Sequence, residues 1–162
     1  MIPEIGNFSL MLALGLALVL GIVPIVGAAR GQANWMALGR PLAAGMCAFI
    51  TLAFGCLMYA FITNDFSVQY VASNSNSKLP VYYRIAGTWG GHEGSLLLWV
   101  EMMAAWTFAV ALLSRQLPEK TVARVLGVMG LVSVGFLAFM LFTSNPFDRL
   151  LPGAPDGRDL NP

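Results

Sequence analysis

Four apolar stretches, each long enough to cross a bilayer, constrain this chain more than anything else in it. Residues 5–29, 41–64 and 125–147 carry no charged side chain, and residues 94–114 carry only Glu101. A hydrocarbon core takes roughly 20 helical residues at about 1.5 Å rise each. It offers the backbone no outside partner, so each stretch is predicted to be helical. Composition agrees: 57% of the residues are hydrophobic and 10% are charged, where a soluble domain carries about 25% charge. Mean hydropathy is +0.72. The predicted fold class is an all-α integral membrane protein with four transmembrane helices. A bundle over 1–147 has spans at about 5–29, 41–63, 95–113 and 125–143, an extended loop at 64–94 and an irregular external tail at 144–162.

Charge sets the orientation. The connection 30–40 holds Arg30 and Arg40 with no acid, and 114–124 holds Arg115, Lys120 and Arg124 against Glu119. The other ends hold Glu4, Asp65, Glu93, Asp148, Asp156 and Asp159 against Lys78, Arg84, Arg149 and Arg158. Lys and Arg collect in short cytoplasmic loops, so both termini and the loop 64–94 are predicted to face away from the cytoplasm. The net charge of +1 averages over this asymmetry. No basic cluster points to nucleic acid. Met1-Ile2-Pro3-Glu4 lacks the positive start of a secretory signal, and the apolar run behind it is longer than a signal core. The first span is therefore expected to be permanent.

Within the spans, small residues form stripes. Ala13, Ala17 and Gly21 fall at intervals of four, Ala44 and Ala48 repeat this, and Gly127, Gly130 and Ser133 give a looser version. In lipid, helices associate mainly by close packing, which such stripes allow. They serve either this chain's own bundle or a partner. Pro24 is expected to kink the end of the first span. Cys47 and Cys56 lie on opposite faces of the second span, too far apart to pair, and are expected to pack as small apolar groups.

The segment with most chemistry is Trp89-Gly90-Gly91-His92-Glu93-Gly94-Ser95, where the aromatic loop meets the third span. The glycines admit backbone angles closed to other residues, and they let a flat group or another backbone approach. His92 is the sole histidine. It offers at most one ligand to haem and cannot alone build a zinc site, so no metal site and no catalytic set is assigned. Its plainer role is to cap the third helix with Glu93 and Ser95. His92, Trp99 and Trp106 recur at heptad spacing and form one stripe. Those indoles are suited to a porphyrin or quinone, or to a wide gap between helices. Glu101 falls on another face, about 9 Å below Ser95. Comparable charges at the bilayer centre cost about 2.5–3.5 kcal/mol, so it is expected to be protonated, paired or turned inward. Tyr70, Tyr82, Tyr83 and Trp89 place the loop along the outer surface, with a short helix and a turn at Ser73-Asn74-Ser75-Asn76-Ser77.

Met1-Ile2-Pro3-Glu4-Ile5-Gly6-Asn7, Val71-Ala72-Ser73-Asn74-Ser75-Asn76, Tyr82-Tyr83-Arg84 and Thr88-Trp89-Gly90-Gly91-His92-Glu93-Gly94-Ser95-Leu96-Leu97-Leu98-Trp99 follow one another in order. With Thr143-Ser144-Asn145-Pro146-Phe147 and Gly157-Arg158-Asp159-Leu160-Asn161-Pro162 they resemble the amino-terminal part of the cytochrome c maturation protein F family. The resemblance implies a multi-span protein of the bacterial inner membrane that takes part in covalent haem attachment to apocytochrome c in the periplasm. It implies haem as cofactor of the complete protein, with its ligands outside this chain. It also implies a haem-delivering chaperone, apocytochrome c with its thiol-presenting partner, and the remainder of the same protein or a split-gene product. Trp89, Gly90, Gly91, His92, Glu93, Gly94 and Trp99 are the candidate haem- or partner-facing residues. Two alternatives stand beside this: a respiratory or transport subunit in which Glu101 and His92 handle protons or quinone, and a purely structural anchor.

Overall fold

A computed structural model describes residues 1–158; Asp159, Leu160, Asn161 and Pro162, and with them the end of the last resembling segment, lie outside the described residues. The described residues are all-helical apart from loops and one isolated bridge between Val68 and Arg149. The helices are α1 (Ile2–Arg30), α2 (Ala33–Ala37), α3 (Gly39–Ile62), α4 (Gln69–Asn74), α5 (Val81–Gly87), α6 (His92–Leu113) and α7 (Glu119–Thr143). Four helical segments are long and apolar enough to span a membrane: Ile2–Arg30, Ala33–Ile62, His92–Leu113 and Glu119–Thr143. This is a multi-pass membrane protein.

The bundle closes as a ring in which α1 packs on α3 and α7, and α6 packs on the same two. Two of the three small-residue stripes are used inside it. Ala13 and Ala17 are fully buried, and a Cβ at Gly130 would come within 2.9 Å of the Gly21 amide and 3.2 Å of the Ala17 carbonyl. The α1 and α7 backbones therefore touch where those glycines meet. On α3 the stripe points the other way: Ala44 is half-buried and Ala48 is exposed. The helix α1 continues through Pro24, which is buried, to Arg30. Gly31 ends it at φ 70° and ψ 23°, a left-handed geometry that costs glycine little. Cys56 is buried and Cys47 half-buried, both free.

The two ends of the bundle differ. At one, the Arg40 guanidinium donates to the Ala111 and Ser114 carbonyls, groups a helix end leaves without intrahelical partners. At the other, Arg149 Nε donates to Glu4 Oε1 at 2.9 Å and Arg149 Nη1 lies 3.7 Å from Asp65 Oδ2. That contact ties the tail to the start of α1 and the end of α3. The tail continues over the loop: Gln69 N donates to Asp148 O at 2.9 Å, Leu150 N to Ser67 O at 2.8 Å and Arg158 N to Ala72 O at 2.7 Å.

Candidate functional site

The connection between α3 and α6 folds back over the bundle's end through one side chain. Tyr70 is 4% exposed, and its ring meets Phe61 edge-on at 5.3 Å. Its hydroxyl accepts from the Gly91 amide at 2.9 Å and lies 3.2 Å from the Gly87 carbonyl and 3.3 Å from that of Thr88. A hydroxyl has one proton and two lone pairs, so it serves the amide and one of the two carbonyls. Asn74 Nδ2 donates to the Tyr70 carbonyl at 2.9 Å. The sequence showed Tyr70 only as one more interfacial aromatic. The signal that would have singled it out is its place one residue into a short helix that turns back toward the glycines, which is a tertiary fact. Burial pushes the Tyr70 phenol above its ordinary pKa, and the Glu93 charge adds to this against the opposing amide bonds of Gly91 and Gly94.

The glycines admit a close approach, and what approaches is this chain itself. A Cβ at Gly94 would overlap the Thr88 carbonyl and sit 2.5 Å from the Tyr70 hydroxyl. One at Gly91 would sit 2.8 Å from the Tyr70 ring. Gly90 is open, with nothing nearer than 3.5 Å. Gly91 has an extended backbone, φ −121° and ψ 179°, so crowding rather than an unusual angle calls for glycine there.

His92 is exposed and begins α6, whose N-cap is Gly91 with no side-chain cap bond. The expected cap by His92, Glu93 and Ser95 is therefore not made; Ser95 Oγ instead donates to the His92 carbonyl at 3.0 Å. Trp89 is 41% exposed, Trp99 60% and Trp106 70%. The heptad stripe thus faces outward along its length and fills no gap between helices of this chain. Tyr82 and Tyr83, with ring centroids 4.6 Å apart, are exposed on α5. Glu93 is half-buried and helps line a polar cleft of about 240 Å³ with Gln69, Tyr70, Asn74, Asn145 and Asp148. The short helical piece expected in the loop is two, α4 and α5. The Ser/Asn run straddles the end of α4, with its turn beginning at Ser77.

These positions bring together the outer face of the loop (Trp89, Gly90, His92) and its inner lock (Tyr70, Gly91, Gly94). They do not build a closed haem cradle. His92 and Trp99 look outward with no described element facing them, and both free cysteines sit on α3 within the span.

No protein-family model matches the chain. The cytochrome c-type biogenesis protein CcmF of Pseudomonas aeruginosa is 61% identical over 163 residues, covering 100% of this chain and 25% of that protein. The CcmF of Escherichia coli K12 is 60% identical over the same share of each. The chain belongs to the CcmF family. The solved structure of a cytochrome c heme lyase CcmF superposes with a TM-score of 0.86 at 26% identity, covering 91% of this chain and 25% of that one. The chain thus spans about a quarter of the length of its CcmF relatives. Neither a proton- or quinone-handling subunit nor a bare anchor finds support among them.

Proposed function

We propose that this chain is the amino-terminal membrane portion of a cytochrome c haem lyase of the bacterial inner membrane. Both termini and the α3–α6 loop face the periplasm. It scaffolds the enzyme and presents the loop's outer surface to haem or to the apocytochrome during thioether formation. Haem is a substrate in this reading, and its ligands belong to the remaining length of the family. Trp89 and His92 are the contact side chains, with Gly90 as open backbone between them. Trp99 flanks them lower on α6, Glu93 faces the polar cleft, and Gly91 and Gly94 hold the loop in place.

The observation that carries the reading is the Tyr70 lock. It fixes Trp89 and His92, exposed, at the end of the bundle opposite the Arg40 end. The basic connections at the Arg40 end support a cytoplasmic placement of that end. A haem-delivering chaperone and a partner presenting the apocytochrome thiols are the protein classes that such a surface would receive. In cells carrying the protein at full family length, Trp89→Ala and His92→Ala should each lower holocytochrome c severalfold more than Cys47→Ser, which alters packing only. Equal yields from all three variants would remove the loop from the function.

A further inference from the structure

We propose that residues 148–158 form a strap that closes the Tyr70 lock. Through it, the length of the family that follows the strap sets how the Trp89–His92 surface is presented. The inference rests on the reading above, in which this chain is the amino-terminal portion and that surface is the working one.

The strap holds α4 at both ends. Only six residues make up α4, and no side chain caps its start; isolated helices shorter than about 12 residues are marginal in water. The first amides and last carbonyls of a helix lack partners within it. The strap supplies both kinds. The Asp148 carbonyl accepts from the Gln69 amide, which opens α4, and the Arg158 amide donates to the Ala72 carbonyl in its last turn. Just past α4, the Asp156 carboxylate accepts from the Ser77 amide at 3.0 Å and from the Ser77 hydroxyl at 2.7 Å. Ser77 is in turn joined to α5, because the Arg84 guanidinium donates to its carbonyl at 2.9 Å. Between these anchors the strap lies so close that a Cβ at Gly157 would overlap the Ser75 carbonyl.

The same short helix carries Tyr70, so whatever orders α4 also aims the hydroxyl at the Gly91 amide, 2.9 Å away. The strap is the weakly held side of this arrangement. Phe147 is buried, its ring over Gly6, but none of residues 148–158 is buried. Past Phe147 the strap is therefore held by hydrogen bonds, with no apolar side chain enclosed. Such segments open at far lower free energy than a packed core. On one side the bundle orders α4 through buried Tyr70 and Val71; on the other, a segment that releases readily does so. The relatives that this chain matches leave about three quarters of their own length outside it, and in the reading above that length continues from the strap. A shift there that lifts residues 148–158 frees both ends of α4, and with them the aim of the Tyr70 hydroxyl.

The test is amide hydrogen exchange on the protein at full family length, read over residues 69–74 and at the Gly91 amide. Gly157→Ala sets a methyl against the Ser75 carbonyl and should displace the strap. Exchange at both places should speed up by at least about fivefold, the low end of coupling between sites, while α1 and α7 stay protected. Asp156→Ala removes the Ser77 contact and should act in the same direction to a smaller extent. Gly153→Ala, whose methyl would find its nearest neighbour at 3.6 Å, should change neither place. Strap and lock act through one helix, so in a Tyr70→Phe background Gly157→Ala should lose its effect at Gly91. Faster exchange over 69–74 with Gly91 unmoved, effects of Gly157→Ala and Tyr70→Phe that multiply, or no change with either strap variant would each overturn the proposal. Holocytochrome c is scored separately. Its independence of Trp89 and His92 with the exchange coupling intact would count against the loop's role and not against the strap.

Discussion

Tyr70 holds the loop's shape more than any member of the glycine run does. Its hydroxyl takes the Gly91 amide just before α6, where the first amides of a helix lack backbone partners. Tyr70→Phe keeps the ring against Phe61 and leaves the Gly91 amide without its partner, at a cost of about 1–3 kcal/mol for a buried group left unpaired. Limited proteolysis between Ser75 and Gly91 should speed up accordingly, while α1 and α7 stay protected. Gly94→Ala should damage the same segment, since its methyl has the Thr88 carbonyl in its place; Gly90→Ala should leave cleavage unchanged. The lock also has a pH signature. Burial keeps the phenol protonated above its ordinary range, so the folded loop retains a proton that the unfolded chain has released. This stabilisation is complete below about pH 10 and is lost as pH rises through the raised value. Loop protection should therefore be flat across neutral pH and fall only under strong alkali, a step that Tyr70→Phe abolishes.

Among the elements, α1 and α7 approach backbone to backbone, with a Cβ at Gly130 falling 2.9 Å from the Gly21 amide. Gly130→Leu inserts a side chain where the Gly21 amide and Ala17 carbonyl lie and should cost about 1–3 kcal/mol, as overpacking does. Gly135→Leu, in open space on the same helix, should leave detergent thermal unfolding unchanged. The four spans were legible because length and lack of charge suffice to make a membrane helix. The small-residue stripes were legible as packing surfaces, but not which of them the bundle itself uses, because that depends on how each helix is rotated. The same limit governs α6. Heptad spacing put His92, Trp99 and Trp106 on one face without saying whether that face looks inward, and it looks outward. Capping by His92 failed for a different reason: the helix starts at His92 itself, so the capping position falls to Gly91.

At the scale of the whole molecule, the charge asymmetry becomes an axis. Arg40 closes the end of α6 on one side, and Glu4, Arg149 and Asp65 join the tail, α1 and α3 on the other. The tail's irregularity was readable from its prolines and turns. Its backbone bonds to Ser67, Gln69 and Ala72 were not, since they pair residues far apart in sequence. The function proposed above needs the Trp89–His92 surface to lie on the exported side. In full-length protein carrying Cys47→Ser and Cys56→Ser, Gly90→Cys places a thiol where the structure leaves room. A membrane-impermeant maleimide should modify that thiol from the periplasmic side while the inner membrane is sealed. Modification only after the inner membrane is opened would contradict the account.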